Sequence, residues 1–521
     1  DHQKRAGLML QQIPSNYMGT GLAEWIEYLV PTTYDPQDPP VPLLVCWHSY
    51  GQSCQSVAYE SLLDEECESR NWIFLAITGA QQCNFGYLDA QIHCTKAIEY
   101  LIQVLGLKID TNRIYMAGLS MGGSAAASYA SRHLCELEGY RVAGLILVAS
   151  SFDLVHAYYQ NDPGVQYWLP ILLGGPPTSH TFQYRQIGDL TIISGDTYRL
   201  DRSMGQNLNN HMPIFLTYAG NDPLTYGPYQ NEIFINMLTD IGANLQVDYK
   251  PTDPNPHKWL LLDVETACDF IEPYSLEDQE DQIIQVLADR DAQYYWARVV
   301  KDDPDSFAGV LGAVSVPQNR VAITDTTNVN SFTVDCDWAG LDGSATLRLE
   351  YNSIDATTQD ILIRPIPAEP TYVVNGTGTL YLDYSYFTAQ EMIAVNWSGA
   401  APLDIKCSFE PYLLNLSSPS YAQLAQQVFI QMSNGDAYDP YLFMFAVVQT
   451  ETKVGIHNIL VNPLPPTLWL FSALDVAGES SFTISVPNDG SLLGVKIYQQ
   501  FLTYNTQVKE ISNLASTTIQ M

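Results

Sequence analysis

The sequence predicts an α/β domain with a largely parallel sheet, followed by two β-rich domains of sandwich or jelly-roll-like type. Three observations support this fold class. From Trp25 to about Pro273, short β-rich runs alternate with helical segments, as in parallel strands joined by helices. Beyond Val310, short segments rich in Val, Ile and Thr are broken by Gly, Asn and Asp, as in β-sandwiches. The 521 residues are 46% hydrophobic, which is enough to fill more than one core.

The elements of the first domain follow one another in a regular order. Strands are expected at WIEYLVPTTY, VPLLVCWHS, WIFLAITG, RIYMAGLS, GLILVASSF, PIFLTYAGND and LQVDYKP. Helices are expected at IHCTKAIEYLIQVLG, SAAASYASRHL and NEIFINMLTDIGA, and a last helix after Trp259. Because helices separate most of the strands, the sheet is expected to be mainly parallel.

Changes in composition set the domain boundaries. The α/β domain covers residues 1–273, and residues 274–305 form an acidic connection in which a short helix is expected. A β-sandwich module follows at residues 306–370, and a C-terminal β-rich module at residues 371–521. The stretch PIPAEP at the end of the first module provides a stiff break between the two.

Charge and hydropathy argue against several classes of protein. Asp and Glu number 57 against 23 Lys and Arg, and the net charge of −34 repels polyphosphate and anionic membrane surfaces. Nucleic acid is therefore not an expected partner. No apolar run reaches the roughly 18 residues that a membrane-spanning helix needs, so no membrane span is expected. The polar start DHQKR is no signal peptide, but a secreted chain whose signal has been removed would begin in the same way.

The nine cysteines show no C-x-x-C pair and no paired Cys/His spacing, which disfavours a zinc or redox site. No metal and no other cofactor is expected. Five cysteines fall close together in the chain, at Cys46, Cys54, Cys67, Cys83 and Cys94. This density predicts one or two disulfides and an extracellular location, with buried free thiols as the alternative.

The stretch YMAGLSMGGSAAA contains the candidate nucleophile, Ser120. A predicted strand runs directly into Gly-Leu-Ser-Met-Gly, and small residues follow as the start of a helix. Such a turn holds its serine in a strained conformation that only small neighbours permit. The N-terminus of the following helix favours negative charge at the serine oxygen. Without this context, Ser120 would be no more than a hydroxyl in a tight bend.

A serine nucleophile needs a histidine to take its proton and a carboxylate to orient that histidine. Asp222 follows the apolar run PIFLTYAGN, and His257 follows LQVDYKPTDPNP, so that both come just after a predicted strand. They also follow Ser120 in the order serine, acid, histidine. Asp253 is the rival for the carboxylate, but it shares a loop with His257, and a separate strand end offers better geometry.

Acyl transfer also needs two hydrogen-bond donors aimed at the developing oxyanion. One is the backbone N–H of Met121, because the residue after the nucleophile faces that position. The second is assigned to the N–H of Tyr50 in the loop of VPLLVCWHSYGQS, with Ser49 as the alternative. His48 is expected to hold this loop, and the Tyr50 ring to form the floor of the acyl site.

These motifs resemble a known family. Residues 20–272 are similar to the α/β-hydrolase superfamily, and within it to secreted polyhydroxybutyrate depolymerases and feruloyl esterases, a group that borders on prolyl oligopeptidase-like serine hydrolases. The matching pieces are VCWHSYGQS, DTNRIYMAGLSMGGSAA, YAGNDPLTYG and PNPHKW. The resemblance implies an α/β-hydrolase domain with Ser120, Asp222 and His257 as its catalytic triad. Ser49 stands where the family usually has glycine.

Two further resemblances concern the oxyanion pair and the β-rich region. The pair of Tyr50 and Met121 resembles the one in polyester-cleaving cutinases. The segment from Asp291 to Asn352 is similar to a β-sandwich appended to such hydrolases in environmental bacteria. The stretch SFTISVPNDGSLLGVKIYQQ resembles a β-rich terminal module of secreted proteins from similar bacteria.

A long connection between Phe152 and Pro213 is rich in aromatic and turn residues. Such an insertion either covers the site as a lid and lines a substrate pocket, or packs as a helical excursion with its own small core. Tyr158, Tyr167 and Trp168 are the pocket residues expected from it. Ser49 joins them as a candidate substrate contact.

The sequence predicts a secreted serine carboxylesterase that forms an acyl-enzyme on Ser120, with a polyester or plant polymer as the expected substrate. The appended β modules suit a polymer, because tethering raises the effective concentration of substrate. The first alternative is a prolyl oligopeptidase-like peptidase, although such enzymes normally carry a specificity domain ahead of the hydrolase. The second is a non-catalytic polymer-binding or adhesion protein, which would be expected to have lost a triad residue.

Overall fold

The structure is a computed structural model. It describes residues 7–341, apart from residues 138, 195–196, 209–211, 225, 277–282 and 336–337, and beyond residue 341 the backbone of the strands given below. The chain divides into two compact units. The first unit comprises residues 1–295 and 301–311, and the second comprises residues 296–300 and 312–521.

The first unit is built on an eight-stranded sheet. Its strands are β1 (Met9–Ile13), β2 (Glu24–Leu29), β3 (Val41–Trp47), β4 (Ile73–Ile77), β5 (Ile109–Leu119), β6 (Gly144–Val148), β7 (Pro213–Ala219) and β8 (Asn244–Lys250). Their spatial order is β1-β2-β4-β3-β5-β6-β7-β8, with β1 and β2 antiparallel to their neighbours and the others parallel. The predicted α/β domain is confirmed, and β1 is a strand that the sequence pattern did not indicate.

Helices cover both faces of this sheet. They are α1 (Ser15–Met18), α2 (Cys54–Glu60), α3 (Leu63–Arg70), α4 (Leu88–Glu99), α5 (Met121–Arg132), α6 (Leu154–Tyr159), α7 (Pro163–Leu173), α8 (Pro177–Gln186), α9 (Gly227–Asp240) and α10 (Val264–Ile271). A π-helical turn (Tyr100–Val104) extends α4, and 3₁₀ turns occur at Leu200–Arg202, Met204–Leu208 and Trp259–Leu261. In β3, Leu43 and Val45 enter one core while Leu44 and Cys46 enter the other, because successive side chains of a strand point to opposite faces.

Helix α5 passes through the middle of the first unit, and all of its residues are buried. This explains its composition, MGGSAAASYASR, because small side chains let a helix lie close to the strands below it. The helix begins directly after Ser120, so its position in the core fixes the position of that residue.

The insertion between β6 and β7 is tied at both ends by one buried carboxylate. Asp153 accepts a hydrogen bond from the amide of His156 at 2.8 Å, which caps α6, and another from the amide of Ile192 at 2.7 Å. Burial raises the pKa of Asp153 to about 6. Val165 and Tyr184 of the insertion join the main core. Of the two roles expected for this segment, a packed helical excursion therefore describes α6 and α8.

The predicted disulfides are wrong for the cysteines whose side chains the structure describes. Seven are buried free thiols, at Cys46, Cys54, Cys67, Cys83, Cys94, Cys135 and Cys268. Burial raises the pKa of Cys46 and Cys67 well above the usual thiol value. Thiols in such surroundings pack as small apolar side chains. Cys336 and Cys407 lie outside the side chains that the structure describes.

The short helix expected in the acidic connection does not lie in residues 283–301. Residues 283–301 form β9 (Ile283–Ala288), β10 (Ala292–Tyr294) and β11 (Ala297–Lys301), while residues 277–282 lie outside the described residues. Between β9 and β10, the buried Asp289 pairs with Arg132 of α5, with Nη2 and Oδ2 2.6 Å apart. Burial opposes ionisation of Asp289, but the charges of Arg132 and Arg290 outweigh it and lower the pKa of Asp289 to about 2. The ion pair fixes this turn to the end of α5.

The remaining strands belong for the most part to the second unit, which is β-rich where it is described. They are β12 (Ala308–Ser315), β13 (Arg320–Thr327), β14 (Val329–Asp335), β15 (Leu347–Tyr351), β16 (Gln359–Arg364), β17 (Glu369–Asn375), β18 (Thr379–Phe387), β19 (Gln390–Ser398), β20 (Leu403–Glu410), β21 (Asn415–Ser417), β22 (Tyr421–Gln423), β23 (Gln427–Ser433), β24 (Pro440–Ala446), β25 (Gln449–Val454), β26 (His457–Val461), β27 (Leu468–Ala473), β28 (Ser480–Ser485), β29 (Lys496–Asn505), β30 (Gln507–Ile511) and β31 (Ala515–Gln520). A 3₁₀ turn at Val316–Gln318 precedes β13. Most of their pairings are antiparallel, while β13 with β15, β14 with β16, β18 with β26, and β22 with β31 are parallel. The division into two modules at residue 370 stays a prediction.

His133, at the C-terminal end of α5, is buried in its neutral form. Its ring stacks on Tyr129 with the centroids 3.8 Å apart, and its Nδ1 donates to the Tyr129 carbonyl oxygen at 2.8 Å. Burial lowers the pKa of His133 to about 3, and the charges of Arg290 and Arg132 act in the same direction.

This histidine makes the stability of the first unit depend on pH. A histidine in the unfolded chain has a pKa of about 6.5. Between that pH and about 3, the unfolded chain binds a proton that folded His133 does not bind, so stability falls as the pH falls through this window. Between pH 7 and pH 5, we expect the melting temperature of His133→Gln to fall less than that of the parent protein. Thermal unfolding at the two pH values measures this difference. An equal loss in the two proteins would contradict this role.

Candidate active site

Ser120 lies at the sharp turn between β5 and α5. Its φ and ψ are 56° and −118°, a conformation that residues other than glycine rarely adopt. The Ser120 amide donates to the carbonyl oxygen of Val148 at 2.8 Å, and the Ser120 carbonyl accepts from the amides of Gly123 and Ser124 at 3.0 and 3.2 Å. Hydrogen bonds on both sides therefore hold the strained residue in place, as expected of a strand-turn-helix that presents a serine.

Two glycines beside Ser120 make the turn possible. A Cβ on Gly118 would lie well within 3.0 Å of the carbonyl oxygen of Gly122. A Cβ on Gly122 would in turn lie within 3.0 Å of the carbonyl oxygens of Trp47 and His48. The first turn of α5 therefore packs directly on the loop that follows β3.

His257 connects Ser120 to Asp222. The Ser120 hydroxyl donates to His257 Nε2 at 2.9 Å, and His257 Nδ1 donates to Asp222 Oδ2 at 2.7 Å. The carboxylate can only accept, so it selects the tautomer in which Nε2 is free to take a proton. The Asp222 side chain is 3% exposed and that of His257 is 21% exposed. The structure thus brings together three residues that lie far apart in the chain.

The loops that hold Asp222 and His257 follow the neighbouring parallel strands β7 and β8, so they meet at one edge of the sheet. The Asn221 side chain joins them, since it donates to the Asp253 carbonyl oxygen and accepts from the Asp253 amide, each at 2.9 Å. Asp253 Oδ1 accepts from the Asn255 amide at 2.7 Å. Asp253, the rival carboxylate, therefore shapes the histidine loop, while Asp222 contacts the imidazole. Sequence analysis did not single out Asn221, because an Asn before Asp-Pro looks like an ordinary turn residue.

The amides of Met121 and Tyr50 lie on the two segments that meet at Gly122. Met121 is the first residue of α5, so its amide has no acceptor within the helix. Next to Tyr50, the Gly51 amide donates to the Gln82 carbonyl oxygen at 2.9 Å. Within the described part of the chain, the Tyr50 amide donates to no protein acceptor. Two amides are thus available near Ser120 for an oxygen that gains negative charge.

A buried histidine supports the Tyr50 loop. His48 Nδ1 lies 2.7 Å from the carbonyl oxygen of Ser49, and His48 Nε2 lies 3.0 Å from that of Thr78. Burial lowers the pKa of His48. His48 thus joins the loop after β3 to the loop after β4, as its expected structural role requires.

The loop after β4 is itself held by a buried carboxylate. Glu24 accepts hydrogen bonds from the amides of Thr78, Gly79 and Ala80, at 2.6, 2.9 and 2.7 Å. It also accepts from His93 Nδ1 at 2.7 Å. Sequence analysis missed this group, because Glu24 looks like a polar residue at the start of a strand and nothing local indicates its partners.

The four candidate substrate contacts occupy different places. Ser49 Oγ donates to Gln52 Oε1 at 2.7 Å. Tyr158 packs edge-on against Tyr184 inside the insertion, at 6.1 Å between centroids. Tyr167 is exposed and touches Trp168 edge-on at 5.2 Å. Trp168, in α7, reaches the loop after β3 at Tyr50.

The Tyr50 side chain connects that loop to α7. Its hydroxyl lies near the side chains of Trp168 and Cys83. A Cβ on Gly164 would lie 2.7 Å from Tyr50 Cζ, so the first turn of α7 covers the phenol ring. The ring also packs on Phe85, with the centroids 5.7 Å apart. Helix α7 is therefore the part of the insertion that borders the site.

Neither a metal site nor a membrane helix is found among the described residues. No group of three or more His, Cys, Asp and Glu side chains there is arranged to hold a metal ion. In the same residues, no helix is both long enough and apolar enough to cross a bilayer.

The strand order, the turn at Ser120 and the order serine, aspartate, histidine along the chain are those of the α/β-hydrolase fold. No family model and no curated protein matches the chain. Solved structures with a similar fold include a hyperthermophilic esterase from the archaeon Pyrobaculum calidifontis, at 14% identity and a TM-score of 0.37 over 52% of this chain and 83% of that one.

Two other solved structures show a comparable likeness. An S-formylglutathione hydrolase from Agrobacterium tumefaciens has 12% identity and a TM-score of 0.36, over 51% of this chain and 93% of that one. Dipeptidyl peptidase 4 from Porphyromonas gingivalis has 13% identity and a TM-score of 0.36, over 48% of this chain and 34% of that one. These values are low, so the assignment of the fold rests on the topology and on the geometry at Ser120.

The contact at Gly122 leads to a prediction about stability. We expect Gly122→Ala to destabilise the first unit by about 2 kcal/mol or more, because the added methyl group meets two carbonyl oxygens that cannot move without shifting the loop after β3. Urea unfolding monitored by fluorescence measures the change. Gly227→Ala is the control, since its Cβ would lie at an ordinary 3.7 Å from Asp222. Equal stability of the two variants would contradict the close packing.

Proposed function

We propose that the first unit is a serine esterase that cleaves carboxylic ester bonds through an acyl-enzyme on Ser120. The observation that carries the proposal is the position of His257, which lies 2.9 Å from Ser120 Oγ and 2.7 Å from Asp222 Oδ2. A serine hydroxyl is a weak nucleophile at neutral pH, and this arrangement removes its proton as it attacks.

In the first half of the reaction, Ser120 Oγ attacks the ester carbonyl carbon while its proton moves to His257 Nε2. Asp222 stabilises the imidazolium that forms. The carbonyl oxygen becomes an oxyanion and accepts hydrogen bonds from the amides of Met121 and Tyr50. The carbon–oxygen bond to the alcohol then breaks, His257 returns its proton to the leaving alkoxide, and the acyl group stays on Ser120.

In the second half, water replaces the alcohol. His257 takes a proton from the water as its oxygen attacks the acyl carbon, and the same two amides stabilise the second oxyanion. The bond to Ser120 Oγ breaks, the proton returns to Ser120, and the carboxylic acid leaves. The residues named here supply every proton transfer, so the proposed reaction needs no cofactor.

The proposal favours esters over peptides, although the same three side chains serve both kinds of bond. An enzyme that removes residues from the end of a peptide needs a charged side chain to hold the terminus. Phe85, Cys83 and Trp168, which contact the Tyr50 side chain, are uncharged. These uncharged neighbours suit an ester, which has no terminal charge to neutralise, although the charge of Asp162 also acts on the Tyr50 hydroxyl.

An extracellular location and a polymeric substrate, either a polyester or a plant polymer, belong to the same proposal. A β-rich unit joined to a catalytic unit suits a polymer, because tethering keeps the site close to many ester bonds. The net charge of −34 suits a dissolved protein that remains dispersed. The described cysteines do not support export, since they are free thiols.

Ser120→Ala is expected to lower kcat for p-nitrophenyl acetate and butyrate by about 10⁴-fold or more, because the nucleophile is lost. Asp222→Asn is expected to lower it by about 10⁴-fold, because the imidazole takes the wrong tautomer. Ser69→Ala removes a hydroxyl from an exposed position in α3 and serves as the matched control. Parent-like activity in Ser120→Ala would overturn the assignment of the nucleophile.

A substrate panel separates the kinds of activity. It contains the two short esters, a hydroxyalkanoate film, a feruloyl ester and a proline-containing peptide amide. Cleavage of the peptide alone would replace the esterase by a peptidase. Cleavage of nothing in the panel, combined with binding of the full chain to insoluble polymer, would favour a non-catalytic protein.

Asn221→Ala tests the contact between the acid and histidine loops. The variant loses two hydrogen bonds to Asp253, so His257 is held less firmly, and we expect kcat for p-nitrophenyl butyrate to fall about 10-fold with little change in KM. Asn255→Ala is the control, because Asn255 contacts Asp253 through its backbone amide, which the substitution keeps. A rise in KM with kcat unchanged, or equal effects in both variants, would contradict the positioning role.

A further inference from the structure

A cavity of about 630 Å³ lies beside the loop after β4 and α7, and the mechanism above does not use it. Its walls come from β1 and β2, the start of α2, the loop after β4, and α7. The side chains important here are the indoles of Trp25 and Trp168, the thiol of Cys83, and the amides of Gln55 and Gln82. The volume falls within the range of small-molecule sites, which is about 300 to 1,000 Å³.

The cavity is uncharged, although the protein as a whole is strongly acidic. None of the described residues that line it is Asp, Glu, Lys, Arg or His. The chain as a whole carries a net charge of −34. An uncharged wall with amide side chains suits a neutral ligand that has apolar parts and hydrogen-bond acceptors.

Two apolar side chains that line the cavity are exposed to solvent. Trp25, on β2, is 45% exposed, and Leu10, on the neighbouring β1, is 41% exposed. In the antiparallel pair Gln12 lies opposite Trp25, which makes Leu10 the diagonal neighbour of Trp25, within reach of the indole. A ring or an alkyl chain placed between Trp25 and Trp168 would remove the exposed apolar surfaces of Trp25 and Leu10 from water.

Tyr50 lies against residues that line the cavity. The Tyr50 hydroxyl lies near the side chains of Cys83 and Trp168, and both of these residues line the cavity. The Gly51 amide donates to the carbonyl oxygen of Gln82, another lining residue, at 2.9 Å. A substrate whose carbonyl oxygen is bound by the Tyr50 amide therefore has this cavity next to it.

We propose that the cavity binds the part of an ester substrate that lies beyond the scissile bond, and that this part is uncharged and carries a ring or an alkyl chain of several carbons. This inference rests on the proposed esterase function and narrows its substrate class. The preferred substrates are neutral esters long enough to extend past Tyr50, such as a segment of a polyester. Short acetates leave the cavity empty.

The test compares long and short esters in tryptophan variants. The substrates are p-nitrophenyl acetate, p-nitrophenyl 6-phenylhexanoate and 6-phenylhexyl acetate, so the long part lies on the acyl side in one and on the alcohol side in the other. We expect Trp25→Ala and Trp168→Ala each to lower the ratio of kcat/KM for a long ester to that for p-nitrophenyl acetate about 10-fold. The affected substrate identifies which side of the ester enters the cavity.

Trp338→Ala is the matched control, because Trp338 is exposed to a similar extent, 42%, and does not line the cavity. We expect its ratios to equal those of the parent. Unchanged ratios in Trp25→Ala and Trp168→Ala, or equal losses on long and short esters, would overturn the proposal. A long ester that ends in a carboxylate should gain no advantage over the acetate, and a gain would contradict the neutral character of the ligand.

Binding to the Ser120→Ala protein separates this inference from the proposed function. We expect at least one of the two long esters, p-nitrophenyl 6-phenylhexanoate or 6-phenylhexyl acetate, to bind this protein, by calorimetry, about 10-fold more weakly when Trp25 or Trp168 is also replaced by alanine. This result does not depend on catalysis. If the parent cleaves no ester but the binding difference holds, the esterase proposal fails and the cavity remains a ligand site. If no difference is found, the cavity proposal fails.

Discussion

The packing of the loop after β3 on the first turn of α5 is the contact on which the rest of the site depends. Gly122 makes it possible, because any side chain there would meet the carbonyl oxygens of Trp47 and His48. The contact places the amides of Tyr50 and Met121 on adjoining segments, and Met121 directly follows the strained Ser120. Donors held in this way need no rearrangement when charge develops, which is the condition under which they stabilise an oxyanion well.

Buried polar groups hold the loops around this contact. Glu24 accepts three amides of the loop after β4, and His48 lies between that loop and the loop after β3. Asn221 links the acid and histidine loops in the same way. A buried charge or amide without partners is costly, so each of these groups favours one loop conformation over others. The candidate triad therefore rests on rigid loops as well as on strands.

The neutral cavity next to Tyr50 contrasts with the acidic composition of the chain. Charge keeps a protein dispersed in water, but it would weaken the binding of an uncharged ester, which cannot compensate for desolvating a carboxylate. Trp25 and Trp168 offer apolar surface in place of charge. The insertion between β6 and β7 contributes Trp168 of α7 to this cavity, while α6 and α8 pack within the insertion.

The sequence by itself determined the α/β order of the first unit and indicated Ser120, Asp222 and His257. These features depend on local patterns: apolar runs, glycines at a turn, and polar residues just after strands. Tertiary structure decided the rest, because it depends on contacts between distant residues. Glu24 and His93 are 69 positions apart, and neither neighbourhood indicates the other. The spacing of cysteines likewise contains no distances, so it could not distinguish disulfides from buried thiols.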